Sequence, residues 1–132
     1  MTWSSYFFVG VGVLDTQHRR LFDIMDELDV SMKDGRVDGV SRKLLEELLD
    51  YTREHFSTEE KLMQTSKFSG FARHRDLHAE LTGQVKEFLA RERGGDREVH
   101  AELLGFLRDW LSNHIQKEDR AFGVWLNAHG VS

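Results

Sequence analysis

Residues 44–63 read LLEELLDYTREHFSTEEKLM, and this stretch decides the fold. Leu44, Leu45, Leu48, Leu49, Thr52, His55, Phe56, Glu59 and Met63 recur at three- and four-residue intervals, the period of one buried helical face. The stripe also carries an anomaly: His55 and Glu59 stand one helical turn apart on a face otherwise apolar.

The same period extends in both directions. Toward the N-terminus, a helix starting near Asp15, a suitable N-cap, carries His18, Leu21, Phe22, Met25, Leu28 and Met32 on one face up to the polar break DGRVDG at 34–39. The second helix runs from about Val40 to Gln64 and is closed by residues 66–70. A third begins near Gly70, presents Phe71, His74, His78, Leu81, Val85 and Phe88, and stops at Gly94-Gly95-Asp96. A fourth, from about Arg97, turns Leu103, Leu107, Trp110, Leu111, His114 and Ile115 inward and is expected to bend or break before Trp125. Four helices of similar length with short links predict an all-α fold, an antiparallel up-down-up-down four-helix bundle. Residues 1–132 are expected to form a single domain, with 1–14 as an N-terminal arm.

Composition narrows the chemistry. The 132 residues include no cysteine and no proline, which removes disulfides and thiolate metal sites and leaves nitrogen and oxygen as the available ligands. A cysteine-free chain suits a reducing, cytoplasmic setting. With 18 Lys+Arg against 23 Asp+Glu, a net charge of −5 and no basic stripe, no nucleic-acid partner is expected. The uncharged run YFFVGVGVL at 6–14 is far shorter than the ~20 residues of a membrane-spanning helix, and no basic residue precedes it, so no membrane insertion is expected either.

The polar residues on the apolar stripes then need an explanation. His18, His55, Glu59, His74, His78 and His114 all fall where core residues belong, and burying each ionisable group unpartnered costs on the order of a few kcal/mol. Metal coordination removes that cost. His55-x-x-x-Glu59 and His74-x-x-x-His78 are one-turn pairs whose side chains can reach one ion. Imidazole suits iron, copper, zinc or nickel rather than magnesium or calcium. Five histidines exceed what one ion takes beside carboxylates, so the count suggests two ions sharing bridging carboxylates. The spacing leaves the carboxylate of the fourth helix open. Four residues from His114 lies Glu118, whereas Asp119, five on, is rotated by about 140° around an ideal helix.

The ordered set His18, His55-Phe56-x-x-Glu59, His74-x-x-x-His78 and His114-Ile115-x-x-x-Asp119 resembles the hemerythrins, in particular the single-domain bacterial form, over nearly the whole chain. Trp3, the phrase from Val11 to Phe22 and Trp110-Leu111 are similar to that family's opening and closing motifs. The resemblance implies a metal set of His18, His55, Glu59, His74, His78, His114 and Asp119 holding two non-haem iron ions with an oxo or hydroxo bridge. His74, His78 and His114 would serve one iron and His18 and His55 the other, with Glu59 and Asp119 bridging. It also implies reversible binding of dioxygen, as a carrier or store and not an enzyme, in a dry pocket of Leu111, Trp110, Leu21, Phe22, Phe56 and Ile115, with Leu111 nearest the ligand.

Two other readings share the bundle. A di-iron oxidase or peroxidase would use four carboxylates and two histidines with Glu-x-x-His repeats, which the sequence lacks. An oxygen or redox sensor would use the same site to signal to a protein partner. His100 and His129 match no motif position and are read as exposed or outer histidines, and Glu60 as a surface or outer residue beside Glu59.

Overall fold

Each predicted stripe finds its complement on a neighbouring helix. The computed structural model describes residues 3–32, 39–93 and 98–132. Helix α1 spans Gly12–Met32, α2 Gly39–Ser66, α3 Phe71–Arg93 and α4 Val99–His114. A π-helical segment, Ile115–Asp119, then leads into α5, Arg120–Ala128. α1 packs against α2 and α4, and α3 packs against α2 and α4, which closes an up-down-up-down ring of four helical rods. Among the described residues there is no strand, and no helix is long and apolar enough to cross a membrane.

The core follows the sequence pattern. Leu14, Leu21, Phe22, Ile24, Met25 and Leu28 of α1 are all shut off from solvent and meet Leu48 and Met63 of α2, Leu81 of α3 and Leu103, Leu107 and Leu111 of α4 in one cluster. Each such side chain contributes roughly 1.5–3 kcal/mol relative to exposure. Of the expected helix breaks, 34–38 and Gly94-Gly95-Asp96 lie outside the described residues. The α2–α3 break is made by Lys67, which takes the left-handed position at φ 60° usually given to glycine. The Phe68 N–H reaches back to the Met63 carbonyl (2.9 Å) and the Lys67 N–H to that of Gln64 (3.2 Å), satisfying carbonyls at the helix end.

Two boundaries differ from expectation. α1 begins at Gly12, so Asp15 lies in its first turn rather than at the N-cap. Its carboxylate instead accepts the Val9 N–H at 2.8 Å, pinning the preceding arm. The fourth rod does not break before Trp125 but passes through a π segment. His114, Asp119 and Arg120 all keep right-handed helical angles, and the chain absorbs one extra residue per turn as a π segment.

The arm is packed rather than loose. The Phe7 and Trp3 rings lie 4.5 and 5.7 Å from Phe22, Arg120 donates to the Tyr6 carbonyl, and the Asn127 amide donates to the carbonyls of Gly10 (2.9 Å) and Val131 (2.8 Å). Its backbone crosses α5 directly over Gly123, where a Cβ would sit 2.0 Å from the Val9 carbonyl oxygen. Gly123→Ala should therefore lower stability by about 1–3 kcal/mol through overpacking against backbone. Gly83→Ala, where a Cβ meets nothing within 4 Å, should raise it by up to ~1 kcal/mol from helix propensity. Urea midpoints of the two variants, measured side by side, check both signs.

Candidate metal centre

Each rod delivers polar groups to one level of the core. α1 supplies His18, α2 supplies His55 and Glu59, α3 supplies His74 and His78, α4 supplies His114, and the π segment supplies Asp119. All seven are buried, with Glu59, Asp119 and His18 at 0 % exposure. The pairs on α2 and α3 converge because one α-helical turn stacks residues four apart. The pair on the fourth rod converges for a different reason. The π segment widens the turn so that the residue five on comes round beneath His114, and the Asp119 carboxylate ends 3.1 Å from the His114 Nε2. Glu118, which ideal spacing favours, points outward and forms a two-pronged pair with the Arg73 guanidinium, one contact being 2.9 Å. That pairing holds its carboxyl below the usual range.

The seven side chains fall into two overlapping groups. Glu59, His74, His78, His114 and Asp119 bring ligand atoms within 4.8 Å of one another, as do His18, His55, Glu59 and Asp119, and both carboxylates belong to both groups. Asp119 divides its oxygens, with Oδ1 lying 2.9 Å from His74 Nε2 and Oδ2 lying 3.0 Å from His18 Nε2. Glu59 Oε1 stands 3.4 Å from His55 Nε2 and 3.8 Å from His74 Nε2. The Nε2 atom of His114 is 3.0 Å from that of His74 and 3.2 Å from that of His78. The imidazoles thus aim their Nε2 atoms at shared points.

Beyond these groups, polar neighbours fix two of the rings. The Nδ1–H of His55 donates to Gln17 Oε1 at 2.7 Å, and Gln17 in turn donates to Thr58 Oγ1 at 3.2 Å. The Nδ1–H of His78 donates to Glu60 at 3.1 Å. Both bonds leave the Nε2 lone pair facing inward, the tautomer a metal ligand needs. Glu60 is therefore the outer residue its sequence position suggested. Gln17 escaped sequence reasoning, since nothing marks a glutamine beside a stripe except the fold that brings it to His55.

The electrostatics are those of a site built for cations. Burial, reinforced by His114 and His74, drives the His78 imidazole down to about 2, and burial with His18 holds His55 well below its ordinary range. Burial and the neighbouring Asp119 push the Glu59 carboxyl well above its usual range. Burial would raise Asp119 too, but the imidazoles of His114, His18 and His74 outweigh it and hold that carboxyl well down. His55 and His78 thus stay neutral acceptors beside the paired carboxylates. Although within ion-pair distance of histidines, none of the four oxygens of Glu59 and Asp119 has a partner in hydrogen-bond alignment among the described residues, nor does either nitrogen of His18. Unsatisfied groups this deep are strongly unfavourable, and metal ions are the groups that fit the donor set.

Of the residues expected around the ligand pocket, Leu111, Ile115 and Phe56 are buried at this level. Phe56 stacks on His78 (3.8 Å, 3°) and Trp110 on His114 (4.4 Å, 16°). Leu21 is buried in the common core, whereas the Phe22 ring is engaged by Trp3 and Phe7 of the arm. His129 is exposed, stacking on Trp125 and donating to its carbonyl at 2.7 Å. His100 is not exposed, contrary to expectation. The first turn of α4 buries it to 4 % exposure, 3.3 Å from Glu92 and outside both ligand groups.

Comparison with known proteins agrees with this arrangement. The family model of the hemerythrin HHE cation binding domain matches residues 9–126, and the chain belongs to that family. It is 35 % identical over 129 residues to a bacteriohemerythrin of Methylococcus capsulatus, covering 97 % of this chain and 98 % of that one. To a myohemerythrin of Sipunculus nudus it is 32 % identical over 117 residues, 89 % of this chain and 86 % of that one. A crystal structure of wild-type hemerythrin superposes with a TM-score of 0.80 at 35 % identity, covering 93 % of this chain and 95 % of that one.

The two candidate carboxylates of the fourth rod separate cleanly by experiment. Asp119→Asn should weaken binding of a divalent metal by on the order of 100-fold or more, above the loss typical of outer partners. Glu118→Gln should leave it unchanged. Metal titration of both purified variants reads the difference, with circular dichroism checking that each stays helical.

Proposed function

We propose that this chain binds dioxygen reversibly at a non-haem, carboxylate-bridged di-iron centre, as a carrier or store rather than an enzyme, and that residues 1–132 act as one domain to do so. The observation that carries this reading is the pair of ligand groups that share Glu59 and Asp119. His74, His78 and His114 would hold one iron, His18 and His55 the other, and the two carboxylates both. An iron pair so held would supply the electrons that dioxygen takes up on binding and returns on release.

Several features favour iron over a structural zinc. Six-coordinate ions with metal–nitrogen bonds of ~2.1 Å have ligand edges of ~3.0 Å, and tetrahedral ones have edges of ~3.4 Å. Of the Nε2 separations around His114, 3.0 Å to His74 matches the former and 3.2 Å to His78 lies midway between the two. The groups also differ in richness, with three histidines in one and two in the other. An ion held by two histidines and two shared carboxylates keeps room for an exogenous ligand. With five imidazoles to two carboxylates, the donor set is less anionic than that of oxidising di-iron bundles, which favours uptake and release over oxidation. A cysteine-free chain suits work in the cytoplasm.

The remaining residues keep water out. Leu111 and Ile115 at 1 % exposure, together with Phe56 and the Trp110 ring over His114, form an apolar wall beside the histidines. We assign Leu111 the place nearest the bound gas.

Purified protein should contain about two irons per chain, the nuclearity of carboxylate-bridged bundle centres. After anaerobic reduction, its visible spectrum should change on exposure to air and revert under argon through repeated cycles. Oxidation that cannot be reversed on the first exposure, or protein without iron, overturns the reading. Leu111→Ala should admit water and accelerate loss of the oxygenated spectrum, and an unchanged autoxidation rate removes Leu111 from that role.

A further inference from the structure

The outer hydrogen bonds of the two histidine groups differ in charge. In the three-histidine group, His78 Nδ1 donates to the carboxylate of Glu60 at 3.1 Å. In the two-histidine group, His55 Nδ1 donates to the neutral amide of Gln17 at 2.7 Å, and neither nitrogen of His18 has a hydrogen-bond partner among the described residues. A carboxylate drawing on the far N–H of an imidazole makes its other nitrogen a stronger donor to a metal, whereas an amide does so weakly.

We infer that Glu60 and Gln17 are positioning residues that make the two metal positions unequal, Glu60 strengthening the three-histidine position and Gln17 leaving the two-histidine position the weaker. This rests on the di-iron reading. The two partners sit in different surroundings. Gln17 is anchored by donating to Thr58 Oγ1, which donates to the Glu54 carbonyl at 3.1 Å. Glu60, its side chain 28 % exposed, lies on the wall of an open groove of about 680 Å³ between α2 and α3, into which Arg53, Lys61, Arg75 and Lys86 also face. Glu60 reaches His78 from the edge of the groove while staying partly exposed. The inequality thus reaches beyond the count of histidines.

The test exchanges the two groups. Glu60→Gln, Gln17→Glu and the double exchange are loaded with iron for potentiometry and, separately, stripped and titrated with zinc. Glu60→Gln should weaken the tighter zinc site roughly 10- to 100-fold and move the midpoint of the iron couple to more positive potential. Gln17→Glu should tighten the weaker site and move the midpoint the other way. The exchange should reverse which group binds first, and Glu60→Asp should recover part of the loss. Helicity and thermal midpoints of the metal-free variants, matched to the parent, exclude unfolding as the cause. Unchanged zinc affinities and midpoints in both single variants, or shifts of the same sign, overturn the inference. Protein that takes up zinc but no iron defeats the di-iron reading alone, because the zinc titration still reports on Glu60 and Gln17.

Discussion

The arrangement depends on a carboxylate held where no water reaches it. Asp119 sits at zero exposure among His18, His74 and His114, and Glu59 lies beside His55 and His74 from the opposite helix. Two carboxylates this close in a core repel each other and lose their hydration, a combination that costs several kcal/mol unless positive charge is supplied. The protein surrounds them with five imidazoles. Arg73, next to His74 in the chain, pairs instead with Glu118 on the outer side of the rod. The core is therefore shaped around a charge that must come from outside the chain, while the aliphatic cluster of α1 to α4 provides the stability that tolerates the arrangement.

The π segment is the local device that makes this possible. A regular helix through 114–119 would bring Glu118 under His114, and its Arg73 partner could then not be reached from the same rotamer. Holding one more residue in the turn sends Glu118 out and Asp119 in while the rod continues to Ala128. The arm follows from the same economy. It covers the end of the rod that the wide turn has displaced, and Asp15, Arg120 and Asn127 hold it there.

Much of this was legible in the sequence because one period governed it. Core positions at three- and four-residue spacing gave the helices and the bundle, and the same spacing put His18, His55, Glu59, His74, His78 and His114 on inward faces. Asp119 was illegible to spacing because its position depends on a departure from 3.6 residues per turn, which no periodic argument contains; the resemblance to a family supplied it. The start of α1 was misjudged because Asp15 looks the same as an N-cap and as an anchor for a loop, and only the arm distinguishes them. His100 was misjudged because it opens a helix, where the stripe is too short to show which way the first turn faces. Gln17 depends on a contact between α1 and α2 that no local pattern encodes.

The distribution of these groups along the chain has a consequence for the order of assembly. They run from residue 18 to residue 119, and the last two, His114 and Asp119, come from the rod that closes the ring against α1 and α3. During synthesis from the N-terminus, the first three helices can gather five of the seven groups before the fourth exists. At that stage the polar cluster forms the floor of an open trough accessible to ions and water. Docking of the fourth rod both completes the ligand sets and covers them with Leu111 and Ile115. A chain assembled in this order would complete its ligand sets and bury them in the same step.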